Sequence, residues 1–420
     1  MHIRTLRSRS AWVAAGLAVT LAAGCGSEDS SSSSSSSQAS AKPKSDQLGT
    51  PKQASGEPLV FGLLNLGSGP VTFPEYTQAA EVAVKYVNEY KGGIGGRPMK
   101  LELCPTDGQP STSARCAGQV LDKKPVAIIG GADTGNPGAI PVYQRAKLAY
   151  LGGVPFTPVE GNAPNAVHFV SVAGGDVAAT VDHVRKDGAK KLSVIYTDDT
   201  QGKAIGLGTL GGVAKQLGME VTSVPVAPSA SDLSSVAAAA VSSSPDAVFI
   251  VSPNACPGVL KALKSVGNTA KIAGLDVCVS PQALEAAGEA AEGLLFAQPF
   301  PSFESADKDT RVFLAAIEKF GSEKIALDSI SQTAFNAVMN VQAKLDPLGA
   351  DGLSTDAILE AFKSGADNPN FMAHPYTCDG KALPASKSIC NAHQIVKQVK
   401  GGKIVEPAGD EYVTAGQYLR

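Results

Sequence analysis

What this chain lacks narrows it before any motif is read. Aromatic residues fill only 5% of its 420 positions, with a single Trp, and charged residues fill 18%. Neither sign of charge dominates, and the formal net charge is −3. A chain without a basic excess has no electrostatic footprint for nucleic acid or for an anionic lipid surface. Beyond Leu21 no apolar run approaches the roughly 20 residues that a spanning helix needs. No CxxC occurs, and His168, His183, His374 and His393 show no ligand spacing, which argues against a metal centre. GxSxG, HExxH and a Gly-rich loop ending in Lys-Ser/Thr are also absent. Neither catalysis nor a cofactor is expected. One dinucleotide-like pattern, Gly206-Leu207-Gly208-Thr209-Leu210-Gly211, is present. It lies inside an expected helix instead of opening one directly after a strand, as phosphate binding would require.

What is there begins with Cys25. An apolar stretch from Ala11 to Leu21 follows Arg4, Arg7 and Arg9 with no acid among them, and leads into Leu21-Ala22-Ala23-Gly24-Cys25. A basic start, a short apolar segment and small residues before a cut describe a signal peptide over residues 1–24. The run into Cys25 resembles a bacterial lipobox, which implies acylation of that sulfur and an anchor on the outer face of the cell membrane. Two or more acyl chains make such an anchor durable. Residues 25–57 read as a tether, with unbroken serine from Ser30 to Ser37 and almost nothing to bury. Loss of the leader, with its three arginines, takes the net charge from −3 to −6.

The other six cysteines fall as near neighbours in sequence. Six allow fifteen connectivities. Proximity favours Cys104–Cys116, Cys256–Cys278 and Cys378–Cys390, and an exported chain can keep them oxidised.

From Leu59 onward, short apolar runs alternate with helical periodicity. Strands are expected at Leu59–Leu64, Met99–Cys104, Val126–Ile129, Leu148–Leu151 and His168–Val172, then from Leu192–Tyr196 to Leu294–Ala297, with a last one at Gln394–Val399. Helices are expected between them, among them Pro74–Tyr90 and Lys203–Gln216, and later Asp328–Leu345. Such alternation means an α/β fold with parallel sheets covered on both faces. There are too many strands for one sheet, so two doubly wound lobes are expected. Ligands of open parallel sheets sit on the loops beyond the strands' carboxyl ends. The cleft loops would include Gly67–Pro74, Gly131–Pro137, Gly152–Glu160, Thr197–Lys203, Ser252–Pro257 and Asp276–Ser280.

Several stretches resemble the leucine/isoleucine/valine-binding proteins, the type I solute-binding proteins of ABC importers. They are Val87-Asn88-Glu89 followed by Gly92 to Pro98, Ile129-Gly130-Gly131, Tyr196-Thr197-Asp198-Asp199 with Gly202, and Ala291-Glu292-Gly293-Leu294. The resemblance covers most of Leu59 to Val405. It implies two Rossmann-like lobes joined by a three-crossover hinge, the type I periplasmic-binding-protein fold. The crossovers would lie near Ala173–Asp176, Pro299–Phe303 and Pro375–Asp379. The first lobe would take residues 58–175 and 302–376, the second 176–301 and 377–420. It also implies a small-molecule solute and ABC permease and ATPase partners, or, on the same scaffold, a lipoprotein that senses a ligand and signals to a receptor. In amino-acid-binding relatives, hydroxyls and N–H groups of first-lobe loops hold the ligand carboxylate and a second-lobe carboxylate takes the ammonium. Carried onto this chain, that points to Thr134 with Asp133, to Gly153, to Thr157 if the loop is shifted, and to Asp276 for the ammonium. Gln201 and Asn254 stand where relatives often carry aromatics. Tyr76 and Phe73 either stack on a ligand or pack their own loop. The solute expected is small and polar, amino-acid- or amide-like.

Overall fold

The computed structural model describes residues 45–420 apart from 70, 173, 323, 324, 408, 410, 415 and 420. The leader, Cys25, the serine run and the first crossover's Ala173 lie outside the described residues.

Two sheets organise the rest. The first contains β1 (Leu59–Leu66), β2 (Met99–Thr106), β3 (Ala127–Gly130), β4 (Tyr150–Gly152) and β5 (Ala166–Val167), in the order β2-β1-β3-β4-β5. All its pairings are parallel, as in Phe61 opposite Ala127 and Ile128 opposite Tyr150. Side chains alternate between faces, as the strand period of two requires. Phe61, Leu63, Ala127 and Ile129 join the helices Pro74–Tyr86 and Ser329–Leu345 in one core. Leu64 and Ile128 point the other way, into a core with Cys116, Val120, Ile140 and Tyr143. The helices Lys308–Phe320, Ser329–Leu345 and Thr355–Lys363 return to this lobe late in the chain, and Ser329–Leu345 packs against Pro74–Tyr86 and β4.

The second sheet contains β6 (Lys191–Thr197), β7 (Glu220–Val226), β8 (Ala247–Val251), β9 (Lys271–Gly274), β10 (Leu295–Gln298), β11 (His393–Lys400), β12 (Lys403–Val405) and β13 (Tyr412–Thr414). Its order is β12-β11-β10-β9-β8-β6-β7, with β13 beside β11. β6 to β10 run parallel, while β11 pairs antiparallel with β10, β12 and β13. Val194 and Phe249 face one core, Ile195, Val248 and Ile250 the other. All three disulfides form as sequence proximity suggested.

The structure departs from the sequence reading in several places, beginning with the short strands β12 and β13 beyond the one expected to be last. The strand expected at His168–Val172 is the two-residue β5. His168 instead bridges Ile389, its N–H donating to the Ser388 carbonyl at 2.8 Å. A helix stands at Asn136–Arg145, where the sequence reads as a loop as far as Pro137 with no helix before Leu148. The tether is shorter than composition suggested, because Leu48 and Ala54 are buried. The N–H groups of Lys52 and Ala54 bond to the carbonyls of Glu89 and Asn88. The expected helix Lys203–Gln216 widens into π-type turns over Ala204–Leu210. There Gly206 lies against Tyr196: a Cβ would come within 2.8 Å of the tyrosine Cβ. Of the dinucleotide-like glycines, Gly206 therefore serves helix–strand contact, while Gly208 faces open space.

Candidate ligand-binding cleft

The loops leaving β1, β3 and β4 on one lobe, and β6, β8 and β9 on the other, are the sites a doubly wound fold offers to a ligand. On the first lobe their backbone is tightly seated. Gly131 presses on β1, where a Cβ would fall 1.7 Å from the Leu64 carbonyl oxygen. Gly152 and Gly153 take φ of +78° and +83°, a region that favours glycine. That double turn lets β4 end against Ala337 of the helix Ser329–Leu345.

Most first-lobe residues singled out from sequence have internal partners. Tyr76 is fully buried and its hydroxyl donates to the Gly130 carbonyl. Burial pushes that phenol far above its ordinary range. Asp133 is buried and accepts from the Ser113 hydroxyl at 2.6 Å and the Gly135 N–H at 2.9 Å. Thr134 is half-buried, its hydroxyl 3.5 Å from the Gly108 carbonyl. Gly153 is buried against Gly130. Thr157 caps the short helix Pro158–Gly161, donating its hydroxyl to Glu160 at 3.0 Å. Glu160 also accepts from Asn136 at 2.7 Å, and burial pushes its carboxyl up to about 8.

The second-lobe candidates divide. Gln201 and Asn254 are exposed, on the turns Thr200–Lys203 and Pro253–Ala255. Asp276 is half-buried and opens the turn after β9. Its carboxylate accepts from the hydroxyl of Ser329, the first residue of the helix Ser329–Leu345. A loop of one lobe thus meets a helix N-terminus of the other. Burial raises the Asp276 carboxyl above its usual range, offset by Ser329, the Val277 N–H, Gln298 and the charge of Lys397. Lys397 is buried and donates to Gln298 at 3.1 Å, with Glu406 at 3.7 Å.

Sequence reasoning missed the other carboxylates here. Asp328 caps the helix Ser329–Leu345, accepting from the Ser331 N–H at 2.8 Å. Burial lifts it to about 6, and the charge of Asp276 adds to that. Glu75 is lifted to about 7, by burial and then by Asp328. Asp176, at the start of the helix Gly175–Lys186, is lifted to about 7 by burial and by Asp276. Phe73, after β1, and Phe156, after β4, are half-buried and stack with ring centres 6.0 Å apart and planes 19° apart. Phe73 was weighed from sequence. Its partner Phe156, 83 positions away, gave no local signal.

Such an arrangement can hold an organic molecule by contact and hydrogen bonding. Comparison with known proteins agrees. A family model for periplasmic binding proteins matches residues 58–390. The Leu/Ile/Val-binding protein BraC3 of Rhizobium johnstonii is 24% identical over 328 residues, covering 74% of this chain and 85% of its own. The crystal structure of the leucine-binding protein LivK of Thermotoga maritima superposes with a TM-score of 0.68 at 20% identity, covering 83% of this chain and 98% of its own. A solute-binding protein of an ABC transporter from Rhodopseudomonas palustris, solved with 3,4-dihydroxybenzoic acid, gives 0.66 at 18%, covering 85% and 97%.

Proposed function

This chain belongs to the periplasmic binding protein family, and from that premise we propose that it is a lipid-anchored receptor that hands a small polar solute to an ABC importer by hinge closure. The coarse part stands on the family: a solute-binding protein of ABC-type transport, working outside the cytoplasm, and not an enzyme. The anchor at Cys25, the solute and the closing motion are our reading. The observation that carries the site is the bond from Ser329 to Asp276, which joins the two lobes where their loops meet. A solute with an amino group would insert there and offer N–H donors to Asp276, a charge-assisted bond roughly twice as strong as a neutral one. The scaffold alone leaves the ligand open, since its neighbours include a leucine-binding protein and one solved with a dihydroxybenzoic acid.

The test is a thermal-shift screen of amino acids, amides, amines and organic acids, followed by small-angle scattering of the best binder. A ligand bound only by the folded state raises Tm. Closure should reduce the radius of gyration on binding. If no solute of any charge class shifts Tm, the cleft reading fails. Membrane fractionation tests the anchor: Cys25→Ala should release the protein or block its processing, and equal membrane retention would refute the anchor.

A further inference from the structure

We propose that the cleft selects an organic cation, an amine whose apolar or aromatic body lies on Phe73 and Phe156 and whose ammonium meets Asp276, and that a carboxylate on the ligand is disfavoured. This rests on the cleft assigned above and specifies its substrate class.

Three independent features point the same way. The first is the aromatic pair. Phe73 and Phe156 come from different loops of the first lobe, stack on each other, and keep part of their surface open. Half-open rings at strand ends offer an apolar platform and attract a nearby cation through their faces. The second is the lack of positive charge. Among the described residues of the loops at the strands' carboxyl ends, Lys203 is the lysine or arginine, and Asp198 holds it at 2.6 Å. Lys397 lies beneath Asp276 and is held by Gln298 and Glu406. Among the described residues of these loops, a ligand carboxylate therefore meets lysine only where a carboxylate is already paired with it. Three first-lobe loop hydroxyls are engaged, Ser68 on the Thr106 carbonyl, Thr134 on Gly108 and Thr157 on Glu160, which leaves the exposed Thr72 as the hydroxyl of these loops open to a ligand. The third is the contact across the lobes. Ser329 donates to Asp276, so the carboxylate already receives a hydrogen-bond donor from across the lobes, at the place a ligand donor would take. An ammonium is a stronger donor in that position. Burial lifts the Asp328 and Glu75 carboxyls, and like charge adds a smaller part, from Asp276 on Asp328 and from Asp328 on Glu75. A bound cation relieves that repulsion, and an anion adds to it.

The experiment compares three probes with one body: 2-phenylethylamine, phenylalanine and 3-phenylpropanoate, titrated calorimetrically into the folded protein. The amine should bind at least tenfold tighter than the zwitterion, and the acid should give no binding heat. Asp276→Asn should weaken the amine about ten- to a hundredfold, since a hydrogen bond to a charged group is at stake. Phe156→Leu should weaken it severalfold, with Phe73→Leu as the parallel variant if the first does not fold. Equal or tighter binding of phenylalanine or 3-phenylpropanoate would overturn the proposal. So would an unchanged affinity in Asp276→Asn, or no binding by any of the three. If the wider screen then finds another solute that closes the lobes, only the cation inference has failed and the receptor reading stands.

Discussion

The two lobes share a doubly wound plan but are filled differently. The first is packed with rings: Phe61, Tyr86, Phe169, Phe313, Phe335, Phe362 and Tyr376 are buried in one core, and all of them but Phe61 touch in chains. It also buries amides, with Asn336 and Asn340 both donating to Asn370 at 2.8 Å. The second is filled mainly by Ala, Val, Leu and Ile, with Phe249, Phe296 and Tyr196 as its large buried rings and Gln298, Gln394 and Lys397 as buried polar groups. Aliphatic cores tolerate volume-conserving exchange, whereas ring contacts and buried amides fix one arrangement. The first lobe is thus the more specified body and the second the more forgiving one, although both supply the cleft.

The sharpest way to break that contrast is core truncation. Phe335 is fully buried, meeting Phe313 edge-on at 5.2 Å and Phe371 at 5.6 Å. Phe335→Ala should cost about 3–5 kcal/mol, while Ile250→Val in the second lobe should cost about 0.5–1.5. Urea unfolding of both variants measures this, and equal losses would erase the distinction.

A pH series probes the first lobe's buried ionisable groups. Glu160 is neutral when folded, with its carboxyl at about 8, and ionised when unfolded above its ordinary value of 4.5. The folded state then holds the extra proton, so stability falls as pH rises from about 4.5 to 8. Glu160→Gln should remove that decline, which is on the order of a few kcal/mol. His168 acts with the opposite sign. Burial holds it at about 4, so its contribution is present above 6.5 and lost as pH falls towards 4. Tm of wild type and Glu160→Gln across pH 5–8.5 decides, and parallel curves would contradict the assignment.

The second lobe's counterpart is a covalent one. Cys256–Cys278 ties the loops after β8 and β9. Replacing both by Ser should cost about 2–4 kcal/mol. If the second lobe is the forgiving body, amine binding should change less than stability, and calorimetry of the double variant checks that. The smallest effect belongs to the join. Ser329→Ala should change stability by about 1 kcal/mol and be read chiefly in scattering, as a more open ligand-free form. An unchanged profile would remove the bond from any part in closure.

How much of this was legible follows the same divide. Apolar runs such as Val126–Ile129 and Ala247–Val251 announced their strands, because a strand buried on both faces must be apolar throughout. The helix Asn136–Arg145 stayed hidden because Pro137, Gly138 and Pro141 mimic a loop. Thr157-x-x-Glu160 carried a visible capping-box spacing, and reading it would have given Thr157 its structural partner. Asp276 came from the family resemblance, as a carboxylate placed just after a strand. Its partner was not found, since 53 positions separate it from Ser329 and no local pattern spans that gap.

The buried end of the tether has a mechanical consequence. Leu48 sits in the first lobe's core and accepts from the Tyr86 hydroxyl at 3.3 Å, while Lys52 and Ala54 are stitched to Glu89 and Asn88. The chain at Leu48 to Ala54 is therefore fastened to the first lobe. With Cys25 acylated as proposed, the aromatic lobe is the moored one. On the proposed hinge closure the aliphatic lobe would then be the free jaw, and in the membrane's frame it would do the travelling when a solute is captured.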